Sequence, residues 1–278
     1  MANSEPRLLI LGAHPDDAEY HAGGLASVYR KLGREVKMVS VTDGGAGHHE
    51  RPPEELIPLR RQEAAAAGRV IGAGYETWDF PDGSLQVSLE VRHRIIREIR
   101  QFRPDLVLTH RTSDYHPDHR AVGQSVQDAS YLVKVPHIVP DVPALRRDPV
   151  VAYMPDLFTR PVPMRPQIII DIAGHMETIV AMLACHRSQV FEWLAWEEGL
   201  LDSVPADETG RLNWLRSWFS SHIRPRADHF RQEVLSAYGG ETGRSIELIE
   251  AFELSEYAHV PDRSLLSRLF PDCKPLTE

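Results

Sequence analysis

The chain has 278 residues, of which 42% are hydrophobic and 26% charged, enough material for one α/β domain with a large core. Its formal charge is −9 and its basic residues are scattered among acidic ones, which excludes the electrostatic footprint of a nucleic-acid binder. No apolar stretch approaches membrane-spanning length, and Cys185 and Cys273 lack a Cys-x-x-Cys spacing, so the reading is a cytoplasmic protein with no membrane partner and no disulfide framework. Any metal must be held by histidines and carboxylates.

Leu8 to Ala13 is an apolar run of strand length that leads into a helical stretch from about Pro15 to Gly33. The alternation continues with a strand at Val36 to Thr42, an Ala-rich helix at Leu59 to Ile71, a short strand at Thr77 to Phe80 and an amphipathic helix at Val91 to Phe102. Asp105 to His110 is the next buried strand, followed by a helix with Val122, Ser125, Val126 and Ala129 at helical spacing. The stretch from Lys134 to Pro166 is Pro-rich around a strand at Val150 to Met154, and Gln167 to Asp171 is a further strand. A long helix is expected over Met176 to Ala195, with Trp193, Trp196, Trp214 and Trp218 as core or subunit contacts. The order predicts an α/β, Rossmann-like fold: a mostly parallel sheet with helices on both faces and an irregular helical C-terminal elaboration. It reads as a single domain over 1–278, with a core at about 7–190 and the elaboration at about 191–278.

Two corners carry the chemistry. The first strand ends in Ala13-His14-Pro15-Asp16-Asp17, where Pro15 suits the first helical position and His14 and Asp17, three residues apart, can converge on one metal ion. The fourth strand leads to Tyr115-His116-Pro117-Asp118-His119, again with Pro at a helix start and histidines three apart, the expected source of a third ligand. One His-Pro-Asp alone reads more readily as a capped helix start with no catalytic role. Two copies after buried strands that commonly flank the crevice of a doubly wound sheet point to one shared site. Two histidines and one carboxylate leave positions open for water and a substrate oxygen. Asp16, beside a ligand, can then take a proton from water and return it to a leaving amine. His116 can donate to an oxyanion, and Asp118 can orient that imidazole.

AHPDD followed by Glu19 and Gly23-Gly24, together with the downstream YHPDH, resembles the PIG-L/LmbE-like zinc-dependent N-deacetylase family. Val41-Thr42-Asp43-Gly44 with Gly47-His48, the Arg60-x-x-Glu63 helix with Ala67 and Ile71-Gly72, Pro104-Asp105, and His186-x-Ser188-Gln189 fit the same pattern. The resemblance is strong from about Arg7 to Arg120 and patchy to about Gln189. It implies His14, Asp17 and His119 as ligands of one Zn2+, Asp16 as general base, His116 as oxyanion stabiliser and Arg60 as a substrate-positioning residue. The implied reaction is removal of an N-acyl group, foremost acetyl, from a small sugar-like or glycoconjugate substrate.

The chain departs from the pattern at His21, a helix position usually filled by a small or apolar residue, and at His48-His49; each reads as pocket-lining or as structural. His110 ends the fourth strand and could face the pocket, a hydrogen-bonded core histidine being the commoner outcome, and it is assigned no role. A dinucleotide-binding module is disfavoured because His-Pro-Asp-Asp replaces Gly-x-Gly-x-x-Gly in the first turn. A two-histidine, one-carboxylate set also suits Fe2+, so ligand types leave the metal open. The main alternative is a hydratase that adds activated water to a C=C bond of a small carboxylic acid on the same scaffold; a non-enzymatic metal-binding protein would have no need of Asp16 and His116. Homo-oligomerisation is left open.

Overall fold

The computed structural model describes residues 5–271 and 274–275; Cys273 lies outside them. The alternation read from the sequence gives β1 (Leu8–Gly12), α1 (Asp17–Lys31), β2 (Val36–Thr42), α2 (Pro53–Ile71), β3 (Gly74–Phe80), α3 (Leu89–Phe102), β4 (Leu106–Thr109), α4 (Pro117–Leu132) and β5 (Val150–Tyr153). These five strands are parallel in the order β3-β2-β1-β4-β5. β1 is buried on both faces, the pattern of a central parallel strand. Leu8 and Ile10 join a core with α1 and α2, while Leu9 and Leu11 join a second core with α3 and α4 on the opposite face.

The order reverses beside β1, which pairs with β2 on one side and β4 on the other. Leu11 lies level with Thr109, so the chain leaves both strands at the same end of the sheet, and the two His-Pro-Asp corners meet there. Gly123 allows α4 to close over this end: a Cβ there would stand 2.5 Å from the His110 carbonyl oxygen.

Beyond β5 the chain adds β6 (Ile168–Asp171), α5 (Met176–Leu183), α6 (Leu194–Glu197), α7 (Glu208–His229), α8 (Arg231–Tyr238), α9 (Gly240–Ser245), β7 (Ile249–Leu254), α10 (Arg263–Leu269) and β8 (Lys274–Pro275). The eight-stranded sheet finishes β5-β7-β6-β8, with β7 antiparallel to both β5 and β6. The C-terminal residues thus place a strand inside the sheet as well as helices around it.

The single helix expected over Met176 to Ala195 is corrected. α5 stops at Leu183, and after a turn at Ala184–His186 the chain makes a π-helical turn over Ser188–Trp193 before α6. The reason lies in two buried carboxylates. His186 Nε2 is 2.9 Å from Glu19, and the Ser188 N–H and hydroxyl both donate to Glu63, so side chains of α1 and α2 satisfy groups at the break. Of the four tryptophans, Trp214 and Trp218 stack against each other, whereas Trp196 is 47% exposed and stacks on His49. Among the described residues no helix is long and apolar enough to cross a membrane.

Candidate metal centre

The two corners share a tripeptide but not a conformation. At the second, Pro117 opens α4 and His116 is an ordinary cap in extended conformation whose Nδ1 accepts the Asp118 N–H at 3.2 Å. At the first, the expected helix start at Pro15 is not what forms. α1 begins at Asp17, and Asp16 has φ +124° and ψ −23°, a region that side-chain-bearing residues rarely adopt. The surroundings hold it there. The Asp16 N–H donates to the Tyr75 hydroxyl at 3.1 Å; that hydroxyl donates to Glu19, which His186 braces. Arg60 donates to the Pro15 carbonyl and to the Gly44 carbonyl, and its guanidinium is 3.5 Å from the Asp16 carboxylate.

Three side chains converge between the corners. His14 Nδ1 is 3.3 Å from His119 Nε2, and the two oxygens of Asp17 lie 3.5 Å from His14 Nδ1 and 3.4 Å from His119 Nε2. A four-coordinate ion with bonds of about 2.0–2.1 Å separates its ligand atoms by about 3.3–3.4 Å, close to each of these three distances, with the two Asp17 contacts made through different oxygens. Carboxylates face the remaining ring nitrogens. His14 Nε2 lies 3.2 Å from Asp82 and 3.4 Å from Asp118, and His119 Nδ1 lies 3.1 Å from Asp114 without the alignment of a hydrogen bond. Burial opposes a charge on His119, yet Asp17 and Asp114 pull it up to about 9; the His14 imidazole is likewise drawn well above its ordinary value by Asp118, Asp17 and Asp82 against burial. Both rings are under a negative field that a cation would satisfy. Three overlapping groups of side chains, His14-His116-His119, Asp17-His110-His119 and His14-Asp82-Asp118, each bring ligand atoms within 4.8 Å of one another.

Every residue singled out in the two corners is therefore at this site, but two of the expected roles change. Asp118 does not orient His116: its carboxylate accepts the Gly83 and Leu85 N–H groups and faces His14, while only its backbone N–H meets His116. Arg60 is 1% exposed, donates to the corner and the glycine-rich loop and keeps its Nε unpartnered, so it lies buried beside Asp16 and is not open to a ligand as the expected substrate contact would be. Burial, opposed by Arg60, raises the Asp16 carboxyl to about 6. His116 is lowered by its partial burial and by the neighbouring His14 and His119.

His110 is buried, as expected, and stacks on His119 at 3.9 Å with an interplanar angle of 10°. Its Nε2 lies 3.2 Å from the Ala13 nitrogen and 3.1 Å from the Asp17 carboxylate; in the tautomer protonated there it donates to Asp17 from behind. Asp82, Asp114 and Tyr75 were not legible as site residues. Asp114, two residues before His116, was the most accessible of the three, because carboxylates often orient ligand histidines. His48 and His49 stack on each other, with His48 3.0 Å from Glu192.

Residues 9–130 match the model of the PIG-L family, described as GlcNAc-PI de-N-acetylase. The chain is 24% identical to a 4-oxalmesaconate hydratase of Pseudomonas putida over 201 residues, covering 69% of this chain and 78% of that one. It is 27% identical to a diacetylchitobiose deacetylase of Thermococcus kodakarensis over 208 residues, 70% of this chain and 75% of the relative. Among solved structures, the N,N'-diacetylchitobiose deacetylase from Pyrococcus horikoshii superposes with a TM-score of 0.68 at 22% identity, covering 94% of this chain and 88% of that one.

Proposed function

From the premise that the chain carries a PIG-L family domain over residues 9–130, we propose that it is a metal-dependent amidohydrolase that removes an N-acetyl group from a small sugar-like substrate. The observation that carries this reading is the triangle of His14, Asp17 and His119 with a carboxylate, Asp16, that stands beside it without being needed as a ligand. His14 through Nδ1, His119 through Nε2 and Asp17 would hold the metal, with Zn2+ the first candidate for this nitrogen and oxygen set and Fe2+ the second. When bound, a divalent cation there lowers the pKa of water and polarises an acyl carbonyl.

The chain's own residues supply the rest. Asp16 accepts the proton of the attacking water and delivers it to the departing amine nitrogen. Its carboxylate stays in place because Tyr75 fixes its backbone and Arg60 its charge. His116 has Nδ1 committed as an acceptor, so the neutral ring carries its proton on Nε2 and donates it to the oxygen that becomes negative as the carbonyl is attacked. Asp82 and Asp118 face His14 Nε2 and favour the tautomer that leaves Nδ1 free for the cation, and the Asp114 charge beside His119 Nδ1 favours a proton there, leaving Nε2 free. Arg60 is a positioning residue in this reading, not the substrate ligand expected from the sequence.

A hydratase is the second reading, because one matched relative is named as such. The family description and the chitobiose deacetylase relatives favour deacetylation. Metal analysis followed by a free-amine release screen over N-acetylated sugars separates the two. Amine release with about one metal per chain supports deacetylation; loss of the ultraviolet absorbance of unsaturated dicarboxylic acids, with no amine released, supports the hydratase.

A further inference from the structure

α1 is interrupted where its sequence reads Tyr20-His21-Ala22-Gly23-Gly24. Ala22 leaves helical geometry at φ −144° and ψ 17°. The Gly24 and Leu25 N–H groups, which an unbroken helix would give to the Tyr20 and His21 carbonyls, instead donate to the two oxygens of Glu250 at 2.6 and 2.9 Å. Glu250 lies on β7 and is 1% exposed. It caps the second half of α1 from another part of the sheet. Gly24 is what lets it approach: a Cβ there would stand 2.9 Å from Glu250 Oε1 and 2.5 Å from Ile172. The carbonyl freed by the break, that of Tyr20, faces the Arg226 guanidinium at 3.4 and 3.5 Å. A carboxylate and a guanidinium from the C-terminal region thus bracket one kink.

His21, immediately before the kink, lies beside the candidate metal centre. Its ring stands edge-on to His110 at 5.7 Å and to His119 at 6.5 Å, both at 88°. Arg226 Nη2 is 3.3 Å from His21 Nδ1. A guanidinium has donors only, so Nδ1 must be the acceptor and a neutral ring carries its proton on Nε2. Among the described residues no side chain or backbone group is hydrogen-bonded to that Nε2, and the residue is only partly buried.

We propose that His21 is a specificity-determining residue that donates its Nε2–H to a hydroxyl or carbonyl oxygen of the substrate, with Arg226 and Glu250 as the positioning residues that set its tautomer and location. The proposal rests on reading the centre as an amidohydrolase acting on an oxygen-rich amine, and it names one contact that selects such a molecule. An uncharged donor in this position suits a polyol oxygen and disfavours an ammonium group.

The test pairs His21→Leu, which removes the donor at similar volume, with His21→Gln, whose amide N–H reaches about as far as Nε2. On an N-acetylated amino sugar, His21→Leu is expected to lower kcat/KM about five- to thirty-fold, mostly through KM, the cost of one lost hydrogen bond of about 1–2 kcal/mol. His21→Gln is expected to restore most of it, with metal content and Tm at wild-type values in both. In a series of substrates each lacking one hydroxyl, one analogue should lose this factor with wild type and nothing further with His21→Leu. Values for His21→Leu within twofold of wild type on every analogue overturn the contact, as does an equal loss on all analogues accompanied by a falling Tm. A readout independent of turnover is the nitrogen-15 spectrum of histidine-labelled protein titrated with N-acetylglucosamine. His21 is expected to show an Nε2–H tautomer whose signal shifts; protonation on Nδ1, or a His21 signal that stays fixed while His116 shifts, overturns the proposal. A shifting His21 signal in an enzyme that releases no amine overturns the proposed reaction and leaves the contact standing.

Discussion

The two His-Pro-Asp corners show how one tripeptide can build two different devices. At Pro117 the motif starts a helix in the ordinary way: proline takes the first turn, the preceding histidine caps, and two imidazoles three residues apart face one side. At Pro15 the same residues form a strained turn in which Asp16 occupies a backbone region that costs on the order of 1–3 kcal/mol for a residue with a side chain. That cost is sustained by Tyr75, Arg60 and the buried Glu19–His186 pair. In the proposed reading the relaxed corner would deliver a ligand and a donor, and the strained one two ligands and a base. Strain at one corner and not the other locates where the geometry is most demanding.

The largest effect that separates the corners' parts concerns the two histidines of the relaxed one. His119→Ala should abolish stoichiometric metal binding, whereas His116→Ala should keep the metal and lose turnover by about 10²- to 10³-fold, the usual cost of one oxyanion donor. Elemental analysis of both variants checks this; equal metal loss in the two would erase the distinction.

Asp118 and Asp16 hold the same place in the two motifs, and their replacements should act differently. Asp118→Ala strips the Gly83 and Leu85 N–H groups of their acceptor and His14 of a brace. It should weaken metal binding about 10- to 100-fold and lower stability by about 1–3 kcal/mol. Asp16→Gly relieves a strained backbone and should be about 1–3 kcal/mol more stable than Asp16→Ala, which loses the same carboxylate beside Arg60 but keeps the strain, while both remove activity. Chemical denaturation measures all three, and Asp16→Gly no more stable than Asp16→Ala would mean that the turn is not strained.

The kink in α1 gives a pH-dependent counterpart. Burial raises the Glu250 carboxyl to about 7, even though the Gly24 and Leu25 N–H groups favour its charge. Because the folded state binds this proton more tightly than the unfolded chain, the contribution of Glu250 to stability is greatest below about pH 4.5 and declines as pH rises through 7, by on the order of 3 kcal/mol. Subtracting the stability curve of Glu250→Gln should expose that decline, and parallel curves from pH 4 to 8 would exclude it.

The parallel part of the sheet was legible because strands such as Leu8–Gly12 are continuous apolar runs bounded by helix signals, and both corners follow such strands. What escaped was set by distant partners. The start of α1 at Asp17 depends on Tyr75 and Arg60, and the break after Leu183 depends on Glu19 and Glu63. The kink at Ala22 depends on Glu250, more than 220 residues away, and local periodicity holds no trace of it. The same holds for Asp118 and Arg60, whose presence at the site was readable while their contacts were not.

The central claim is that Asp16 is a base held by strain beside a metal triangle to which it does not belong, and Asp16→Asn tests it most directly. The variant's metal content and its rate of amine release from an N-acetylated sugar should be measured on the same preparation. The account predicts wild-type metal occupancy with turnover reduced about 10²- to 10⁴-fold; near-normal turnover at full occupancy, or loss of the metal itself, would contradict it.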